Sequence, residues 1–244
     1  MPEITGGDPA FRSDDGTADP AVTAALDAFA AGECGETAAL AALAVSRLLV
    51  PVVAVAADLL DQDEAERRAG ERTGEKATEM AMPTLIGLDG RRAVPAFTCL
   101  ESMRRWQPGA RPVPVAAAHV WQAAAGDGCA VVVDVGGPVP IAVEGARLDA
   151  LARGEPAPAP CCDPDVHDIV AGVLSGELAI AGFELHPGDA DRDLTIALTL
   201  APGSAGRDVT ELAAQVGAEV MERLGARLRR GVAIWLGVPG QPGR

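Results

Sequence analysis

The chain has 244 residues, 48% of them hydrophobic and only 3% aromatic, with 35 acidic side chains against 20 basic ones and a formal net charge of −15. That length supports one large domain or two small ones, with cores packed from Ala, Val and Leu. Residues 1–160 and 161–244 are both acidic, which speaks against a nucleic-acid or anionic-membrane partner because phosphate would be repelled.

Residues 1–18 are polar, with Gly, Pro and Asp, and read as a flexible tail. Asp19-Pro20 then supplies an N-cap and a proline at the first helical position. Val22, Leu26, Phe29 and Ala30 share one face of that helix, and Gly32 stops it. A second helix is predicted from Glu36 to Arg47. Leu48 to Ala57 is a Val-rich apolar run, predicted as a strand, in which Pro51 implies an edge or a bulge. Asp58 to Met80 holds eight acids and four bases, and residues 58–80 are expected to form a polar hairpin loop. Met82 to Leu88 is the predicted returning strand, and Ala93 to Phe97 the third strand of a meander.

At Thr98 the pattern changes to helical. Thr98 and Glu101 have capping-box spacing, so reciprocal bonds between the two residues are expected. Leu100, Met103 and Trp106 project to one side, and Pro108-Gly109 ends the helix. A strand at Val113 to Val115 follows, then an alanine-rich helix at Ala116 to Ala125. Cys129 to Val135 is a central strand, Ile141 to Val143 is extended, and Arg147 to Arg153 is a helix. Residues 154–160 form a proline-alternating linker. Beyond it Asp163-Pro164 repeats the helix-start device, two strands surround Pro187-Gly188, and the longest helix runs from Asp208 to Arg230. Its acids come early and its arginines late, as the helix dipole favours. Val232 to Val238 is the last strand.

The predicted fold is therefore α/β (α+β): two small domains, each a mixed sheet with helices packed on it. The first spans 19–153 and the second, α-β-β-α-β, spans 161–244. With that order laid out, the chain resembles the SseB family, named for enhanced serine sensitivity. The apolar strand with its internal proline and the Phe97, Thr98, Leu100, Trp106 unit carry the resemblance, and residues 161–244 look like the family's smaller C-terminal domain. The resemblance implies a two-domain cytoplasmic protein with a non-catalytic role, and it brings no catalytic residues.

Motifs for chemistry are scarce. The only lysine, Lys76, sits in Gly-Glu-Lys-Ala and not in a phosphate loop, and Gly126-Asp127-Gly128 comes after a helix, the wrong order for a dinucleotide fingerprint. A calcium loop starting at Asp61 would need glycine and glutamate where Glu66 and Arg72 stand. His119, His167 and His186 are scattered, and no Cys/His spacing suits zinc. No cofactor is expected. The five cysteines do not form a disulfide framework, and no apolar run is long enough for a membrane span. These features favour the cytoplasm. Cys161-Cys162 is a candidate redox pair. Phe97, Trp106 and Trp121, with Asp61, Asp63 and Glu64 on the polar loop, are candidate contacts for a protein partner. The expected role is interaction or regulation, the alternative being small-molecule binding or hydrolysis at the domain junction.

Overall fold

The computed structural model describes residues 11–56, 78–88, 90–204 and 209–237. In chain order the elements are α1 (Pro20–Ala30), α2 (Glu36–Ala44), β1 (Arg47–Ala56), β2 (Thr78–Ala81), β3 (Leu85–Ile86), β4 (Arg92–Ala96), α3 (Leu100–Trp106), β5 (Arg111–Ala116), α4 (Ala117–Gly126), β6 (Ala130–Val133), β7 (Ile141–Val143), α5 (Gly145–Ala152), α6 (Pro164–Leu174), β8 (Ile180–Pro187), β9 (Leu194–Leu200), α7 (Val209–Leu224) and β10 (Val232–Gly237). The architecture is α+β, mixed sheets with helices packed on them. The chain divides into two compact units that interleave along the sequence. One is Met1–Asp19 with Val45–Val143, the other Pro20–Ala44 with Glu144–Arg244. Residues 154–160 lie within the second unit.

In the first unit β1 is the middle strand of β2-β1-β5, antiparallel to both neighbours. Four further strands follow the order β3-β4-β6-β7, with β4 and β6 parallel. The two sheets are joined where Leu49 and Phe97 exchange backbone hydrogen bonds of 2.7 and 2.9 Å. Of the expected meander, the hairpin between its second and third strands is present, with β3 antiparallel to β4, but its first turn is not. The strand returning to β1 is Thr78–Ala81 and not Met82 to Leu88, and β4 pairs with the distant β6. Buried at Ala93, Pro95 and Ala96, β4 suits the interior of a sheet.

Pro51 is also placed otherwise than expected, on a central strand. It lies opposite Pro112 of β5. On its other side it falls between the Leu49–Phe97 bridge and the start of β2 pairing at Val53. Its missing N–H therefore breaks no ladder bond. The core here is Leu49, Phe97, Met103 and Ala110, with Val53, Leu100 and Trp106 against it. The Phe97 and Trp106 rings lie 5.4 Å apart.

In the second unit β9 sits between antiparallel β8 and parallel β10. The parallel pair requires a crossover, and α7 supplies it. Val166, Val170 and Val173 from α6 meet Leu212, Val216, Val220 and Leu224 from α7 over Leu194, Ile196 and Leu198 of β9. Each such buried side chain contributes about 1.5–3 kcal/mol. The α7 helix ends at Leu224, well short of Arg230, so the later arginines serve other partners. Among the described residues, no helix is long and apolar enough to cross a membrane.

Candidate functional site

Parallel β4 and β6 bring their carboxyl ends side by side, the position where open α/β sheets gather functional groups. Thr98 follows β4 there and Asp134 follows β6. Asp134 is 3% exposed and has φ +52, a left-handed conformation that Asp adopts more readily than most residues. The Thr98 N–H donates to Oδ1 at 2.9 Å and the Thr98 hydroxyl to Oδ2 at 2.6 Å. Ser102, on the first turn of α3, adds a third bond. Burial pushes the Asp134 carboxyl above its ordinary range, and the bonds from Thr98 and Ser102 pull it back without cancelling that effect.

Thr98 is thereby committed to Asp134, and the expected capping box does not form. The N-cap of α3 is Cys99, whose sulfur accepts from the Ser102 N–H at 3.5 Å. Glu101 pairs instead with Arg105 on the exposed face of the helix. A buried carboxylate needs donors more urgently than a solvated helix end does. The turn after β6 closes tightly on this cluster: a Cβ on Gly137 would stand 2.9 Å from the Asp134 Cβ and 3.0 Å from the Ser102 Oγ.

Beside the cluster lies an open cavity of about 700 Å³, lined by residues 15–18 and by Cys99, Leu100, Glu101, Arg104 and Arg105. Arg47 fixes its wall through bonds to the Asp14 carboxylate (2.6 Å), the Thr98 carbonyl (2.8 Å) and the Thr17 carbonyl (2.7 Å). The Leu100 N–H donates to the Gly16 carbonyl at 2.8 Å.

A second polar cluster belongs to the other unit. Glu36 of α2 accepts from Arg147 of α5 at 2.5 Å and from Arg227 at 3.1 Å. Arg227 also holds Asp163, the N-cap of α6. Glu36, Arg147 and Asp163 are buried. Burial pulls the Arg147 pKa down, with Glu36 opposing. At Arg227 burial acts the same way, but Glu36 and Asp163 together hold the pKa above its ordinary value. Arg230, further along, binds the Asp193 carboxylate at 2.8 Å.

Of the aromatic candidates, Phe97 and Trp121 are fully buried, so both are core residues, and Trp106 is half-buried against Phe97. Asp61, Asp63 and Glu64 lie outside the described residues. Cys161 and Cys162 are free thiols 3.6 Å apart. His167 stacks near Phe183, and His186 is 3.4 Å from Glu184. Among the described residues, no group of three or more His, Cys, Asp or Glu is placed to hold a metal ion. Sequence reading passed over Asp134, Ser102, Glu36 and Arg147. For Asp134 the available signal was a lone charge set inside an apolar run, Val133-Asp134-Val135.

The model of the SseB protein N-terminal domain matches residues 22–150. No curated protein and no solved structure matches the chain. The matched stretch covers more than half of the sequence, from α1 through the β4–α3 unit and the Asp134 turn into α5, and the chain belongs to the SseB family.

Proposed function

We propose that the protein is a non-catalytic interaction or regulatory protein of the cytoplasm, with residues 161–244 acting as the family's C-terminal domain. The observation that carries this reading is the state of Asp134. Its two oxygens are taken by Thr98, with Ser102 adding a further bond, so the polar groups at the strand ends serve one another and not a substrate. Among the described residues a few large apolar side chains are nonetheless exposed. Ile86 and Leu88 stand out on the β3–β4 hairpin, and Trp235 and Leu236 on β10, the end strand of its sheet. An exposed tryptophan on a sheet edge suits a partner that adds a strand and buries the ring.

The test is affinity capture from native extract with wild type and Trp235→Ser, both checked for folding by circular dichroism. Wild type is expected to enrich a partner that the variant loses at least about tenfold, since burial of one such anchor is worth more than 1.4 kcal/mol. The cavity beside α3, whose wall carries Asp15, Glu101, Arg104 and Arg105, supports a second reading, binding of a small polar molecule. Native mass spectrometry showing a co-purifying metabolite and no enriched protein would sink the first reading in favour of the second.

A further inference from the structure

Two adjacent thiols stand outside the roles described so far. Pro160–Cys162 forms a single 3-10 turn, closed by the Cys162 N–H donating to the Ala159 carbonyl at 2.8 Å. The turn brings the two sulfurs to 3.6 Å, close enough for one thiol to hydrogen-bond the other. Cys162 is exposed, whereas Cys161 is half-buried against the core of the second unit. The next residue is Asp163. Its Oδ1 accepts from the Asp165 N–H at 2.9 Å, which caps α6, and its Oδ2 holds Arg227. The cysteines thus immediately precede a residue that both caps a helix and belongs to an ion pair.

We propose that Cys161 and Cys162 form a reversible redox site, in which a peroxide oxidant joins them in a vicinal disulfide and closure of the ring loosens the Asp163 cap and its pairing with Arg227. The exposed Cys162 reacts first. Its thiolate attacks one oxygen of hydrogen peroxide, the O–O bond breaks, and a sulfenic acid forms while the departing hydroxide takes up the proton the thiol released, giving water. The Cys161 sulfur then attacks the sulfenyl sulfur. The S–S bond forms, the hydroxyl leaves, and the Cys161 proton completes a second water. Two thiols lose two protons and two electrons, and the peroxide is reduced to two waters. The order follows from the setting. Burial, together with the hydrogen bond and charge of Cys162, pushes the Cys161 thiol up, which makes it the poorer first nucleophile. A disulfide bond of about 2.05 Å requires the sulfurs to close in from 3.6 Å within a small ring. Strain of that kind makes a disulfide easy to reduce, as a switch requires.

The test treats the full-length protein with hydrogen peroxide, then maps peptides and follows thermal unfolding. Wild type is expected to lose two hydrogens on the Cys161–Cys162 peptide, with recovery in dithiothreitol and no dimedone adduct there. Its Tm is expected to fall by about 4 °C or more on oxidation. Cys161→Ser is expected to give a dimedone-reactive sulfenic acid on Cys162 and no such fall. Oxidation of wild-type Cys162 straight to the sulfinic acid, a disulfide joining two chains, or a Tm that does not move on oxidation would each overturn the proposal.

Discussion

The two units bury carboxylates in opposite ways. In the first, Asp134 is held by the N–H and hydroxyl of Thr98 and by Ser102, all neutral donors. In the second, Glu36 and Asp163 are held by Arg147 and Arg227. Neutral donors satisfy the oxygens but leave the charge uncompensated, so Asp134 remains harder to ionise than an ordinary aspartate. Arginines compensate the charge, and in return each acid becomes dependent on its partner. The Asp134 cluster is a local clip between two strand ends, whereas the Glu36 network ties α2 and α5 to the cap of α6 and to the segment after α7.

Removing a partner should therefore hurt the second unit most. Arg227→Ala strands Glu36 with one arginine and Asp163 with none, in a site where Asp163 is 1% exposed. The expected loss is about 3–5 kcal/mol, read as the shift in urea midpoint at constant m-value. A loss under about 1 kcal/mol would mean that water reaches the network and that its charges are not interdependent.

Asp134 offers the sharper contrast because its effect depends on pH. Its folded pKa lies above the ordinary value of 3.8, so between these two values the folded state keeps a proton that the unfolded state has released. Its contribution is thus complete below the unfolded pKa and is lost as pH rises through the folded pKa. Asp134→Asn keeps a side chain that tolerates positive φ and cannot ionise. Relative to wild type, the variant should gain stability as pH is raised from about 4 to about 7, in parallel denaturation series. A constant difference across that range would show that Asp134 does not titrate differently on folding. Asp134→Ala, which cannot ionise either, should follow the same pH trend, but it strands the Thr98 donors and should be about 1–3 kcal/mol less stable than Asp134→Asn at each pH.

Much of this was legible in the chain, and what was not shares a physical cause. Asp163-Pro164 announced α6, and the structure shows the Asp163 side chain capping it. The α-β-β-α-β order after residue 161 was readable because apolar periodicity and turn residues are local signals. Distant strand partners were not: β4 pairs with β6 across α3, β5 and α4, and nothing within β4 encodes that choice. The arginines after α7 looked like complements to a helix dipole, yet Arg227 and Arg230 lie past its end and bind Glu36, Asp163 and Asp193. Nor could local pattern place α1 and α2, which precede β1 in sequence but belong to the second unit. At the candidate site, Thr98 was read from its neighbour at Glu101, while its real partner stands 36 residues away.

That misreading yields the smallest and most discriminating prediction. If Thr98 and Glu101 formed a capping box, their substitutions would be coupled, and losing the cap would cost about 1 kcal/mol. In the structure Glu101 pairs with the exposed Arg105, with side chains 72% and 54% accessible. Glu101→Ala should therefore cost about 0.3–0.5 kcal/mol, the loss fading as salt is added. Thr98→Ala should cost more, because it removes a hydroxyl from a buried carboxylate. In a double-mutant cycle of Thr98→Ala with Glu101→Ala the coupling should lie within error of zero. In the cycle with Asp134→Asn it should reach about 0.5 kcal/mol or more, because those two side chains share a hydrogen bond.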